Sequence, residues 1–171
     1  DQASRNKIMK LDNNGTIITT FDTGSTIQVT VTTMALQNNK LVVGGTFNIS
    51  NVATRILRLN LDGTIDNSFN VGTGFNDRVN RIAVDGNKII VGGQFYMYNN
   101  QSANYICRLL NDGTLDNTFT IGTGFNDNVY NVEKLSNGNI LVGGRFTSYN
   151  GDAANQIVML SETGNRITTF N

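Results

Sequence analysis

ICRLLNDGTLDNTF, at Ile106–Phe119, is a near copy of ILRLNLDGTIDNSF at Ile56–Phe69, fifty residues upstream. Two looser versions begin at Ile8 (IMKLDNNGTIITTF) and Ile157 (IVMLSETGNRITTF). A second block keeps step with the first. LVVGGTF (Leu41–Phe47), IIVGGQF (Ile89–Phe95) and ILVGGRF (Ile140–Phe146) align without gaps, and Gly44, Gly92 and Gly143 fall 48 and then 51 residues apart. A third block, GTGFND, occurs at Gly72–Asp77 and Gly122–Asp127, with a weaker echo, GSTIQV, from Gly24. Self-similarity at this period marks a repeat architecture. The whole chain reads as one repeating unit, without a separate domain or linker.

Each unit reads as four strands. Val79–Val84 leads through DGN into Lys88–Phe95, a hairpin signal with Gly at the turn. After an Asn-rich loop, Tyr105–Leu110 meets NDG and continues into Thr114–Phe119. These runs are short, rich in Val, Ile, Thr and Phe, and none sustains helical spacing. Met9/Leu11, Leu57/Leu59, Cys107/Leu109 and Val158/Leu160 occupy matching positions two apart, so period two places each apolar pair on one face. The IIVGG-type strands are apolar at consecutive positions, as in strands covered on both sides. Their paired glycines are expected to admit a neighbouring backbone closely. The fold class is all-β: a β-propeller-like array of four-stranded antiparallel blades.

The expected division is a half-blade at 1–24 and blades at about 25–72, 73–122 and 123–171. The half-blade supplies only a third strand (near Lys7–Leu11) and a fourth (Thr16–Phe21). About three and a half blades fall below the usual minimum of roughly four. Protein neighbours are therefore expected to complete the propeller or assembly.

Composition narrows the function classes. Thirteen Lys and Arg balance thirteen Asp and Glu, so no basic excess exists to collect phosphates, and nucleic acid is not an expected partner. No run approaches the roughly 18 apolar residues of a membrane span, so membrane insertion is not expected either. The chain starts at Asp1 with no signal-like segment, which reads as a removed leader or a piece of something longer. Histidine is absent, which removes the commonest general base and neutral metal ligand. Cys107 is the single cysteine and replaces Leu57 and Val158 on a core face, which marks it as a small hydrophobe. Proline is absent as well, so turns fall to Gly, Asn and Asp.

GNKIIVGGQF, then NYICRLLNDGTLDNTF, then GTGFN together resemble the delta-60 repeat, a family assigned to the β-propeller group. The resemblance covers essentially the whole chain. It implies propeller-like folding in large secreted or surface-associated proteins and in phage structural proteins, and it brings no catalytic residues. The last unit departs from the pattern: SETGN replaces NDGT, and Met159 stands where Arg is usual.

Four features invite a functional reading. GTGFND would need a following helix N-terminus and a Lys or Arg partner to cradle phosphate, whereas a strand follows it. It reads as a joint between blades, with its glycines at positive φ, its Gly-Thr-Gly backbone exposed, and Phe75 or Phe125 plugging the gap. Asp77 and Asp127 suit turn capping better than calcium, which wants six to eight oxygens. The matching residue in the first unit is Val29, so no ring of sites forms, and a peripheral calcium ion is the remaining metal reading. Arg58 comes with Asp66 and Arg108 with Asp116, both at spacing eight; where Met159 replaces the Arg, Ile167 replaces the Asp. Joint loss implies a cross-strand ion pair, worth about 0–1 kcal/mol if exposed. Tyr98 and Asn99, with Tyr149 and Asn150, share positions in two Asn-rich loops. Tyr beside amides can stack on a sugar and bind its hydroxyls; the competing reading packs each ring over the blade edge with its OH in water.

The expected function is a non-enzymatic structural or adhesive propeller module of an extracellular, cell-surface or virion protein, with no cofactor. The alternatives are a glycan-binding module using the Tyr/Asn loops, or a non-catalytic fragment of a glycoside-acting enzyme.

Overall fold

The structure, a computed structural model, describes residues 8–24, 30–49 and 53–170. Among the described residues there is no helix. In the first blade, β1 (Val31–Gln37), β2 (Lys40–Ile49) and β3 (Ala53–Leu59) lie side by side, every pairing antiparallel. In the second, β4 (Val79–Asp85) and β5 (Lys88–Gly93) precede a small hairpin, β6 (Met97–Tyr98) and β7 (Gln101–Ser102). β8 (Ile106–Leu109) then returns to pair with β5. The third blade repeats this plan with β9 (Val129–Lys134), β10 (Ile140–Gly144), β11 (Ser148–Tyr149), β12 (Asp152–Ala153) and β13 (Ile157–Leu160).

Turn chemistry sets these hairpins. Asn38 and Asn39, between β1 and β2, both adopt positive φ (48° and 57°), as do Asn99 and Asn100 between β6 and β7 (45° and 62°). Two successive left-handed residues make the turn whose twist matches paired strands, and Asn tolerates them better than most side chains do.

The expected fourth strand is cut to a single bridge: Leu11 to Ile17, Leu59 to Ile65, Leu109 to Leu115 and Leu160 to Arg166. One residue later, Asp66 N–H bonds Arg58 C=O, and the Asp66 carbonyl and carboxylate accept the Phe69 and Ser68 amides. The backbone turn, present also at Ile18 and Ile167, ends the pairing before a ladder can extend, and the carboxylate reinforces it in the first two blades. The backbone bond itself recurs in every unit (Ile18 to Lys10, Asp66 to Arg58, Asp116 to Arg108, Ile167 to Met159), whatever the side chains.

Successive blades stack through their first and middle strands: β4 lies against β1 and β2, and β9 against β4 and β5. One core runs from Ile8 through the first blade to the near face of the second; another fills the space between the second and third. The glycine pairs work differently from expectation at their first member. A Cβ on Gly44 would stand 2.6 Å from Val79 Cγ1, and one on Gly92 2.5 Å from Val129 Cγ1. Each socket thus receives a side chain of the next blade rather than a backbone. The second members, Gly45, Gly93 and Gly144, do face a backbone: the carbonyl of Thr30, Arg78 or Asn128, 2.2 Å from an added Cβ. In the first unit, Lys7 and the GSTIQV echo beyond Gly24, including Val29, lie outside the described residues. Met9 and Leu11, expected in the core, are 52% and 49% exposed because no further strand covers them among the described residues.

Candidate functional site

The recurring polar residues converge between blades. Arg58, on β3, places Nε 2.7 Å from Asp66 Oδ2 and is only 3% exposed. Its Nη1 donates to the main-chain oxygen of Asn111 at 2.8 Å, in the second blade's turn, while the guanidinium lies 4.7 Å from the centre of the Phe69 ring. Arg108 repeats the arrangement with Asp116 at 2.7 Å, the Glu162 carbonyl at 2.6 Å and the Phe119 ring at 4.9 Å. Each pair is joined by a lysine: Lys40 lies 3.1 Å from Asp66, and Lys88 2.8 Å from Asp116.

Burial is the largest influence on both carboxyls and by itself raises them toward the neutral acid. For Asp66 the hydrogen bonds from Ser68, Arg58 and Lys40 outweigh it; for Asp116 those from Lys88, Thr118 and Arg108 do. Both groups end well below the usual carboxylate range. These pairs are buried, because the following blade covers them, so the exposed-pair magnitude does not apply. In the third blade Met159 and Ile167 hold the corresponding positions, and the Asn139 amide points at the Met159 sulfur at 3.5 Å.

The GTGFND segments are joints. Phe75 is fully buried against Phe95 and Tyr98, with ring centres 4.2 and 4.5 Å away; Phe125 sits alike against Phe146 and Tyr149. No helix follows either segment. Gly72 and Gly74 take φ of 56° and 69°. Gly74 and Gly124 are buried, contrary to the expected exposure. Gly74 lies against the Thr54 carbonyl, which also accepts the Phe75 amide at 3.1 Å, so this backbone is stitched to the preceding blade.

This packing overturns both readings of the tyrosines. Tyr98 and Tyr149 are 1% and 2% exposed, so neither ring can stack on a sugar. Nor does either hydroxyl sit in water. Tyr98 donates to the Gly113 carbonyl and Tyr149 to that of Gly164, fastening the joint to the blade's own turn. Burial raises both phenols above their ordinary range. Asn99 and Asn150 use Oδ1 to accept the Thr73 and Thr123 amides at 3.2 and 3.1 Å. All four side chains serve the joint.

Asp77 accepts the Arg78 amide and Asp127 the Asn128 amide, both at 2.7 Å. Among the described residues no group of three or more Asp, Glu or Cys side chains converges as a metal site would. Cys107 is buried, which pushes its thiol well above the ordinary range.

Sequence reading missed a polar layer on the first strands. Arg81 pairs with Glu133 at 3.3 Å, Lys134 with Asp85 at 2.7 Å, and Gln37 donates to the Gly86 and Lys88 carbonyls of the next blade. Charges of opposite sign one or two register positions apart on successive first strands were the available signal. The cleft bordered by Met34, Arg81 and Glu133 is small, about 220 Å³, and its charges already neutralise one another.

No curated protein matches the chain. Among solved structures, a crystal structure of the computationally designed Ika8 protein is similar at a TM-score of 0.53 and 14% identity, which speaks to the fold alone. That match covers 82% of this chain and 36% of the designed one, so the chain spans about a third of its length. The sequence profile described as "Domain of unknown function (DUF5122) beta-propeller" matches residues 36–69, 87–119 and 135–170, one segment per blade. With more than half of its residues matched, blade by blade, the chain belongs to this β-propeller family.

Proposed function

We propose that the chain is a non-enzymatic structural or adhesive module of an extracellular, cell-surface or virion protein, built from repeats of the delta-60 type and working without a cofactor. The observation that supports this reading is where the recurring polar side chains are spent. Arg58 and Arg108 each hold their own blade's carboxylate with one nitrogen and the next blade's main chain with another. Tyr98 and Tyr149 fasten the joint that enters a blade to that blade's own turn. The residues that repeat are those that fix one blade to the next, as a load-carrying module requires. The balanced charge suits a surface that meets water and other proteins rather than a polyanion.

The test has two arms. Antibodies raised against the chain should label intact source cells or particles; labelling only after lysis overturns the surface assignment. Purified chain should turn over no member of a glycoside panel and capture no glycan on an array. Turnover that survives removal of contaminants overturns the non-enzymatic assignment, and saturable capture of one glycan class replaces the structural role with glycan binding.

A further inference from the structure

Three asparagines are followed directly by glycine: Asn14–Gly15, Asn137–Gly138 and Asn150–Gly151. At such a step the glycine's main-chain nitrogen can attack Cγ of the asparagine, because no following side chain shields that nitrogen. The attacking nitrogen gives its proton to solvent, the Cγ–Nδ2 bond breaks, and Nδ2 leaves as ammonia, closing a five-membered imide. Water then opens the imide at either carbonyl, giving aspartate or isoaspartate, with no change in oxidation state. The three steps sit in different surroundings. Asn14 and Asn137 lie exposed in tight turns, and among the described residues their carboxamides make no hydrogen bond outside those turns. Asn137 Oδ1 accepts the Asn139 amide at 3.0 Å. Asn150 is tied to another segment instead. Its Oδ1 accepts the Thr123 amide at 3.1 Å, and its own amide donates to the Gly124 carbonyl at 2.8 Å. A Cβ on Gly122 would stand 2.0 Å from that same Oδ1. The Asn150 backbone is held at a φ of 50°. Around Gly151, by contrast, nothing lies within 4 Å of an added Cβ, so its nitrogen is open to solvent base.

We infer that Asn150–Gly151 is a modification site gated by the joint at Gly122–Asp127. A shut joint keeps the carboxamide on Thr123; each local opening frees it to swing onto the Gly151 nitrogen. The change is one-way. Isoaspartate carries the main chain through the former side chain, which adds a methylene between residues 150 and 151 and leaves a carboxylate on a shorter arm. Thr123 then loses its acceptor, and the joint no longer closes as before. The second blade makes the same contacts without the same chemistry. Asn99 holds the Thr73 amide at 3.2 Å and donates to the Gly74 carbonyl at 2.8 Å, but the next residue is Asn100, whose side chain shields its nitrogen. Asn14 and Asn137, tied to no joint, register elapsed time and solvent alone. The ratio of modification at Asn150 to that at Asn137 therefore records how often the third blade's joint has opened.

The test incubates the full chain at pH 8, folded and in denaturing urea, and follows each asparagine by peptide mass mapping, with isoaspartate located by methyltransferase labelling. In urea the three Asn–Gly steps should react at similar rates. In the folded chain Asn150 should be slowed at least about tenfold more than Asn137, the ratio that roughly 1.4 kcal/mol of opening free energy gives. Urea below the unfolding transition should speed Asn150 while leaving Asn137 nearly constant. Gly122→Ala, whose Cβ displaces Oδ1, should return Asn150 most of the way to its urea rate without moving Asn137. If Gly122→Ala unfolds the chain, all three steps reach their urea rates together, and the low-urea series on the unaltered sequence decides. Equal slowing of Asn150 and Asn137 overturns the inference. So does an Asn150 rate that ignores low urea, or one that stays slow in folded Gly122→Ala.

Discussion

Replacing Arg58 by Met should destabilise the chain by about 3 kcal/mol, the low end of the 3–5 kcal/mol expected when one partner of a buried ion pair is removed. The low end applies because Asp66 keeps Lys40 at 3.1 Å and the Ser68 hydroxyl at 2.7 Å. The remaining loss falls on the Asn111 carbonyl, whose guanidinium donor disappears, and on the contact with Phe69. Replacing Asp66 by Ile alone strands a guanidinium that is 3% exposed and should cost a similar amount. The double replacement recreates the third blade's own combination, Met159 with Ile167, and should cost only about 1–2 kcal/mol, because two apolar groups of similar volume can stand in for a buried pair. Coupling between the sites is then on the order of 4 kcal/mol, beyond the 0.5–3 kcal/mol common for neighbours, since each single change leaves a buried charge unpaired. The assay is urea unfolding of wild type, both singles and the double at pH 7, with equal slopes required before midpoints are compared. Additivity within about 0.5 kcal/mol would refute the argument, because it would mean that neither residue needs the other.

Three further outcomes follow from the packing. Phe75→Ala empties the ring site shared with Phe95 and Tyr98, and should cost about 3–5 kcal/mol by the same unfolding measurement. Gly92→Ala should lower the melting midpoint by several degrees while Gly143→Ala leaves it nearly unchanged, because the nearest atom to an added Cβ is 2.5 Å away at the first site and 3.9 Å at the second. Asp66 and Asp116 both have folded values below their ordinary 3.8, so their contribution is fully present above about pH 4 and is lost as pH falls further toward the folded values. A midpoint measured from pH 7 to pH 2.5 should therefore stay flat above pH 5 and drop below pH 4. A steep drop already between pH 6 and 5 would assign acid sensitivity to other groups.

The blades were legible in the sequence because their signals repeat. A Gly-Gly step after three apolar residues, a hairpin turn and an alternating pair recur in step, and chance does not produce that three times. The Arg–Asp pairs were legible from the joint change to Met159 and Ile167. Their burial was not, because the cover comes from the next blade's turn at Asn111 or Glu162, about fifty residues along the chain. The same holds for Tyr98: its ring is enclosed by Phe75 and Phe95, and its acceptor is a main-chain carbonyl, which carries no side-chain signature. The fourth strand was overread because Ile65 and Leu115 suit a strand in isolation. What ends it is the backbone turn that follows, formed at Ile18 and Ile167 as at Asp66 and Asp116, and pattern alone does not rank a turn above a strand of equal hydrophobicity. The short hairpins β6–β7 and β11–β12 contribute two residues per strand, too few for any periodicity to register.

The reach of Arg58 and Arg108 into the following blade shares one acceptor, a peptide oxygen, to which the Asn111 side chain adds a second oxygen at Arg58 alone. The fit between neighbours is thereby written in a group that every amino acid carries. A gene that duplicates, deletes or exchanges one fifty-residue cassette would deliver a successor whose turn presents the same oxygen at the same place, whatever its side chains. Length and order can then drift by recombination while the fit between adjacent units is kept. In that history a pair such as Met159 and Ile167 would be a cassette that shed its guanidinium and its carboxylate together.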